Sequence, residues 1–335
     1  MLLSQTVTLS DSTSTSEGRR ASARMAALLG FNETKAGEAA LIVTEATRNA
    51  IVYGGGGQLV LAGTKSPEVR LDILVIDRGP GISDLPRALT DGYSTGGTPG
   101  TGLGAIRRMA DVFDVFTSPK GTVLYACVMQ TGMPPQKDLL DLAGLAVPIQ
   151  TEIVCGDGIA WDFQGDRCVV LNIDGLGHGV QAAEAAEEGV RIFQAYSQEP
   201  PASIVTRLHD ALKKTRGAAA AVAEIRPLAG SLVYAGVGNI SASILSNTSS
   251  RSLISHNGTL GHVMTKVQEF KVEWPKDGML IMHSDGLQTR WDLSRYPGLM
   301  RRQPALIAGV LLRDFRRDRD DTSVIVMRGR DGDLK

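Results

Sequence analysis

At several places in this chain an aspartate stands beside glycine, or one residue from it, where an apolar run begins or breaks, among them Asp77-Arg78-Gly79-Pro80-Gly81, Gly156-Asp157-Gly158, Asp174-Gly175 and Asp285-Gly286. Ahead of the first, Val69, Leu71, Ile73 and Val75 alternate as a strand with one buried face does. Glycine permits a sharp turn or a close approach of backbone to ligand. The pattern sets carboxylates at strand ends, where residues far apart in sequence can converge. The chain holds 38 glycines among 335 residues, against about 23 at the average usage of ~7%. Many of the surplus fall in these segments and in Gly54 to Gly57.

Composition narrows the field. At roughly 150 residues per domain the length suits two domains, each able to bury a core. Thirty-five Lys and Arg against 36 Asp and Glu leave a net charge of -1, so no global basic field draws the chain to nucleic acid or an anionic membrane. No apolar run approaches the ~20 residues of a membrane span, and the N-terminus lacks the basic region of a signal peptide. Cys127, Cys155 and Cys168 are odd in number without CxxC spacing, which argues against a disulfide framework or zinc site. A cytoplasmic location is expected.

The pattern predicts a helix over Glu33 to Tyr53, capped by Asn32 and stopped by the glycines that follow. Strands follow at Gln58 to Ala62 and Val69 to Asp77, then a helix at Leu103 to Phe113 and a hairpin of Val115 to Ser118 with Gly121 to Met129. The Ser/Thr-rich segment Ser10 to Ser16 reads as a loop. Residues 1–130 thus form an α+β domain. Gly132, Pro134 and Pro135 mark a linker over 131–147. The second domain, 148–330, is rich in strands, from Glu152 to Cys155 through to Thr322 to Met327. Helices at Val180 to Tyr196, Ala202 to Thr215 and Pro304 to Arg313 make it a β-sandwich flanked by helices. The runs Arg301-Arg302 and Arg313 to Arg319 read as solvated mixed-charge faces.

Glu45 and Asn49 are four apart on the first helix and share a face. A carboxylate there can take a proton from an attacking hydroxyl, and a neutral amide oxygen can ligate magnesium. Alone, such a pair more often marks a solvated helix face, and an aspartate such as Asp77 more often an ordinary turn. The glycine-rich run Ser94 to Gly104 then feeds a helix, the arrangement that cradles phosphates on exposed N–H groups. Three such features stand in order within about sixty residues. The segments EATRNA, DRGPGI and GTGLG resemble the N, G1 and G2 boxes of the GHKL ATPases, and DGYSTGGTPGTGLGAIRRMAD is similar to anti-sigma-factor serine kinases of the RsbT/RsbW type. The resemblance implies a Bergerat α/β sandwich that binds ATP and Mg2+. It makes Glu45 the base, Asn49 the magnesium ligand and Asp77 the partner of the adenine amine. Gly79, Gly81, Thr95, Gly100, Thr101, Gly102, Leu103 and Gly104 then complete the nucleotide site. It also implies a Ser or Thr substrate on a STAS-domain antagonist. No phosphoacceptor His domain is evident, and a DNA-topology ATPase would bring a transducer domain and a basic excess.

In the second half, several carboxylates at strand ends suit Mg2+ or Mn2+, and two such ions can hold a nucleophile for attack on a phosphoryl group. NIDGLGHG, GTLGHV, MHSDGLQTRWDL and DDTSVIV resemble PPM (PP2C-like) phosphatases of the SpoIIE type, and KKTRGAAAAVAEI with AGVGNI is similar to RsbX. The implied fold is an αββα β-sandwich. The implied ligands of two Mn2+ or Mg2+ ions are Asp157, Asp174, Asp285, Asp320 and the Gly175 carbonyl, with Asp321 a weaker candidate. The same resemblance makes Asp174 and Asp285 the catalytic carboxylates. The basic residue that holds phosphate in animal PP2C enzymes has no match. His178 reads as a structural hydrogen-bonder or an acid, Cys155 as a buried apolar residue. The expected whole is a bifunctional partner-switching regulator acting on STAS-domain or stressosome-like proteins, with a possible link to a sigma-factor pathway. The alternative is an active phosphatase with a non-catalytic nucleotide-binding module.

Overall fold

The computed structural model describes residues 2–65, 68–90, 102–130 and 139–329. The first part runs β1 (Leu3–Leu9), α1 (Ser12–Leu29), α2 (Glu33–Gly54), β2 (Gly57–Thr64), β3 (Arg70–Ile76), α3 (Leu85–Ala88), α4 (Gly102–Met109), β4 (Val112–Ser118) and β5 (Gly121–Met129). Next come β6 (Leu140–Val147), β7 (Asp157–Gln164), β8 (Arg167–Gly175), α5 (Val180–Tyr196), α6 (Pro201–Ala211), β9 (Ala218–Arg226) and β10 (Ser231–Val237). The chain ends with β11 (Ser241–Leu245), β12 (Ser250–Leu253), β13 (Phe270–Glu273), β14 (Met279–His283), α7 (Pro304–Phe315) and β15 (Thr322–Gly329). The architecture is α+β. No described helix is long and apolar enough to cross a membrane.

Two compact units result: residues 3–136 with 293–313, and residues 1–2, 137–292 and 314–335. In the first, an antiparallel sheet of order β1-β2-β3-β5-β4 carries α1 and α2 on one face. Leu71, Ile73 and Val75 of β3 pack there with Met25, Ile42 and Val43. Leu74 and Ile76 point to the other face, where Gly309 of α7 packs against them and Val123. This explains why β3 is buried along Leu71–Ile76, with apolar side chains on both faces and Asp72 held by Arg70 Nε and the Tyr125 hydroxyl.

Helix α2 forms as expected: the Asn32 side chain accepts from Lys35 N, and Gly55 closes the helix at φ 72°. Ser10 to Ser16, expected as a loop, instead opens α1. Asp11 and Ser14 form a capping box there, and burial of Ala21, Met25 and Leu29 overrides the weak propensity of the Ser/Thr run. Helix α4 stops at Met109, short of the expected Phe113. Asp111 accepts from Lys35 Nζ and Met129 N, which turns the chain into β4.

The second unit is a sandwich of sheets β13-β10-β9-β8-β7 and β12-β11-β14-β15-β6. Val170, Ala223, Tyr234, Met282 and Ile325 fill the space between them, while α5 and α6 cover Leu171, Ile173 and Val222 on the outside of the first sheet. Within the stretch expected as linker, Leu140–Val147 is a full partner of β15. The expected strand Glu152 to Cys155 is a turn. The strand begins at Asp157, with Ile159, Trp161 and Phe163 alternating toward the core.

Candidate functional sites

In the first unit, α2 presents Glu45 and Asn49 half-buried, on one face. The first residue of α4, Gly102, comes so close that a Cβ would lie 3.3 Å from Asn49 Nδ2 and 3.5 Å from Glu45 Oε2. Nine residues further along α2, Gly54 meets Asp77: a Cβ there would stand 2.6 Å from Asp77 Cβ. Gly79 is as confined, its Cβ position lying 2.6 Å from Gly54 Cα. Only residues without side chains let the helix end and the strand end meet this closely.

Asp77 is held firmly. Its Oδ1 accepts from Gly79 N at 2.9 Å and Thr122 N at 3.1 Å, and its own N–H donates to Thr122 O. Among the described residues its Oδ2 accepts no hydrogen bond. Burial pushes its carboxyl up, while those two backbone donors and the charge of Arg313 pull it back. Gly81 packs against Ser118 O at φ 78°. Gly104 is buried, and Leu103 packs against the core. Thr95, Gly100 and Thr101 lie outside the described residues.

In the second unit, Asp157 and Asp174 are direct cross-strand partners on β7 and β8. Asp285 follows β14, and Asp320 with Asp321 precedes β15. Gly286 lies so near Asp321 O that a Cβ would overlap it at 1.9 Å, which joins the last two strand ends. The negative charges crowd one another: burial first, then Asp157, Asp285, Asp320 and Asp321, push Asp174 up to about 9. Burial likewise pushes Asp157 up to about 7 and raises Asp320.

Asp157 Oδ2 is buried without a hydrogen-bond partner, while the Ser284 and Ser323 hydroxyls beside the carboxyl draw it back toward ionisation. Buried unpaired carboxylate oxygens beside further carboxylates are a donor set for hard divalent cations, which satisfy both the charge and the lone pairs. Among the described residues no three His, Cys, Asp or Glu side chains stand close enough together to hold a metal ion. Asp321 differs from its neighbours. Both its oxygens are engaged, by Ile149 N at 2.7 Å and Gly156 N at 2.8 Å, and it is 2% exposed; it ties the loop together.

Beside this group lies a cleft of about 370 Å³ lined by Gly177, His178, Val180 and Arg216 among others. Glu152 Oε1 holds His178 Nδ1 at 2.8 Å. The Arg216 guanidinium rests against Gly177, and the next residue, Gly217, accepts from Leu176 N.

The sequence matches the Histidine kinase-like ATPase domain over residues 9–128 and Stage II sporulation protein E (SpoIIE) over residues 164–330. The chain joins a histidine kinase-like ATPase domain to a SpoIIE domain. Asp157 lies just ahead of the second matched range. Among relatives, the serine/threonine-protein kinase RsbT of Bacillus subtilis is 33% identical over 88 residues, 26% of this chain and 66% of that protein. The phosphoserine phosphatase RsbX of the same organism is 29% identical over 136 residues, 40% of this chain and 68% of that protein. A solved structure described as the bacterial stressosome, a modular system adapted to control secondary messenger signalling, aligns with TM-score 0.54 at 27% identity, covering 56% of this chain and 99% of its own. RsbX in complex with magnesium aligns with TM-score 0.53 at 22% identity, covering 58% and 98%.

The two domains thus assemble the expected residues in two places: Glu45, Asn49, Asp77 and Gly102 in the ATPase domain, the aspartates in the second unit. Sequence reasoning passed over Arg216, although it lies within KKTRGAAAAVAEI. It also read Arg313 as part of a solvated run, whereas Arg313 is 2% exposed. His283 takes a structural part. Trp291 Nε1 donates to its Nε2 and its Nδ1 lies 2.8 Å from Ser284 O, so the ring is neutral with its proton on Nδ1. Burial pushes the Cys155 thiol up, which disfavours a nucleophilic thiolate.

Proposed function

We propose that the chain is a two-way phosphorylation switch: the ATPase domain phosphorylates Ser or Thr on a STAS-domain protein, and the SpoIIE domain removes such phosphate. The observation that supports the phosphatase reading is the cross-strand pair Asp157 and Asp174, with the charges of Asp285 and Asp320 acting on Asp174 and a buried, unsatisfied Asp157 oxygen. These four, with the Gly175 carbonyl, would hold two Mg2+ or Mn2+ ions. When bound, the ions supply charge neutralisation for the phosphoryl group and a more acidic water. Arg216 pairs with phosphoryl oxygens of the substrate in the cleft, as a guanidinium fork does well. His178, oriented by Glu152, is the proton donor to the departing serine oxygen.

In the ATPase domain, the nine-residue step from Glu45 to Gly54 spans about 13 Å of helix. That length suits a nucleotide laid along α2, with adenine at the free Oδ2 of Asp77 and the γ-phosphate near Glu45. Asn49 would ligate the nucleotide's Mg2+, and Glu45 takes the proton of the attacking hydroxyl. Catalysis here is positioning and charge neutralisation.

Transfer of label from γ-labelled ATP to a purified STAS-domain protein tests the kinase, with Asp285→Ala silencing the reverse reaction. An unlabelled partner would leave the ATPase domain a nucleotide-binding module only. Mn2+-dependent release of phosphate from the phosphoprotein tests the phosphatase, and Asp174→Ala should abolish it.

A further inference from the structure

Residues 293–313 lie between β14 and β15 of the SpoIIE domain, yet they pack as part of the ATPase unit. The contacts run along their whole length. Tyr296 meets Phe116 edge-on at 6.3 Å. Asp114 accepts from Arg302 Nη1 at 2.9 Å and from Gln303 N at 3.1 Å. Gly309 sits against Leu74 and Val123. At the end, buried Arg313 donates from Nη1 to Gly121 O at 2.9 Å.

Gly121 is the residue on which Asp77 rests: a Cβ there would stand 2.0 Å from Asp77 O, and the next residue, Thr122, donates to Asp77 Oδ1. Arg313 therefore supports the Asp77 turn from behind, and its charge favours the ionised carboxylate.

We infer that Arg313 is a positioning residue of the nucleotide site. The inference rests on the nucleotide site proposed above. Close-packed buried groups do not shift singly, so the Arg313 guanidinium, by holding the Gly121 carbonyl, fixes the turn that presents the Asp77 carboxylate.

The test uses the full chain. Binding of a fluorescent ADP is titrated and thermal melting is recorded alongside. Arg313→Met should weaken ADP binding by about tenfold, the worth of one charge-assisted hydrogen bond, and Arg313→Lys should restore part of it. Arg302→Ala, at an exposed position just ahead of α7, should bind ADP as the native chain does. If Arg313→Met fails to fold, Arg313→Lys decides by binding ADP several-fold more weakly than the native chain at a nearly unchanged Tm. A folded Arg313 variant of either kind with native ADP affinity overturns the inference. A native chain that binds no ADP overturns the nucleotide site itself, a distinct result read directly from the binding titration.

Discussion

Helix α2 contains two glycines at which the same added methyl group should have opposite effects. At Gly37 a Cβ meets nothing within 4 Å, whereas at Gly54 it would lie 2.6 Å from Asp77 Cβ and 2.7 Å from Asp77 Cγ. Gly37→Ala restricts the unfolded chain and adds helix propensity, worth about 0.5–1 kcal/mol. For a unit of this size that raises Tm by about 1–4 °C. At Gly54, the last residue of the helix, the propensity gain is smaller. Carbon atoms settle at roughly 3.5–4.0 Å, so Asp77 must retreat by about 1 Å, beyond the ~0.5 Å tolerance of a working site.

Such overpacking costs about 1–3 kcal/mol, which exceeds the propensity gain, and its displacement falls on the proposed adenine partner. Losing that charge-assisted hydrogen bond, worth about 1.5–3 kcal/mol, should weaken ADP binding by about 10- to 100-fold. Fluorescent-ADP titration and thermal melting on the two variants side by side provide the assay. Gly37→Ala should melt higher with native affinity, and Gly54→Ala should melt no higher with weakened affinity. If Gly54→Ala bound ADP as the native chain does and also melted higher, the packing account of Asp77 would be refuted.

Three further outcomes follow from the phosphatase group. Asp174 is pushed up to about 9 and Asp157 to about 7, so the metal-free folded chain retains protons that the unfolded chain releases above about pH 4. The stability these groups contribute is full below that point and is lost as pH rises through about 9. Asp174→Asn in EDTA should therefore melt above the native chain, by more at pH 8 than at pH 5, and Mn2+ should reverse the order; a lower melt at pH 8 in EDTA would contradict the crowding. Asp321→Ala, which strands two backbone N–H groups at about 1–3 kcal/mol each, should lose several degrees of Tm, while Asp320→Ala keeps its Tm and loses hydrolysis. The opposite pattern would exchange their roles. Arg216→Ala should raise KM for a phosphoserine peptide by about tenfold with less effect on kcat, and an unchanged KM would remove Arg216 from phosphate binding.

What was legible in the chain was local. Helix α2 announces itself through Asn32 and Gly55, and strands β3, β8 and β14 through apolar runs that stop at Asp. The candidate residues at those boundaries follow directly. What was hidden depended on partners distant in sequence. The Ser/Thr run of α1 becomes helical because Met25 and Leu29 are buried by the sheet, and the alternation of β6 acquires meaning only beside β15. The segment PALIAGVLLRDF reads correctly as a helix, but nothing within it says which sheet it covers. That information lies in β3, where Leu74 and Ile76 are apolar on a face that α1 and α2 do not reach. Arg313 was concealed for the same reason. It begins a run of charges, so it reads as solvated, while its three preceding neighbours Val310, Leu311 and Leu312 are buried with it. A guanidinium in such company is costly unless paired, and the Gly121 carbonyl beneath Asp77 supplies a partner. The buried charge at the end of an apolar helix is therefore best understood as part of the nucleotide site, carried there by the chain of the other domain.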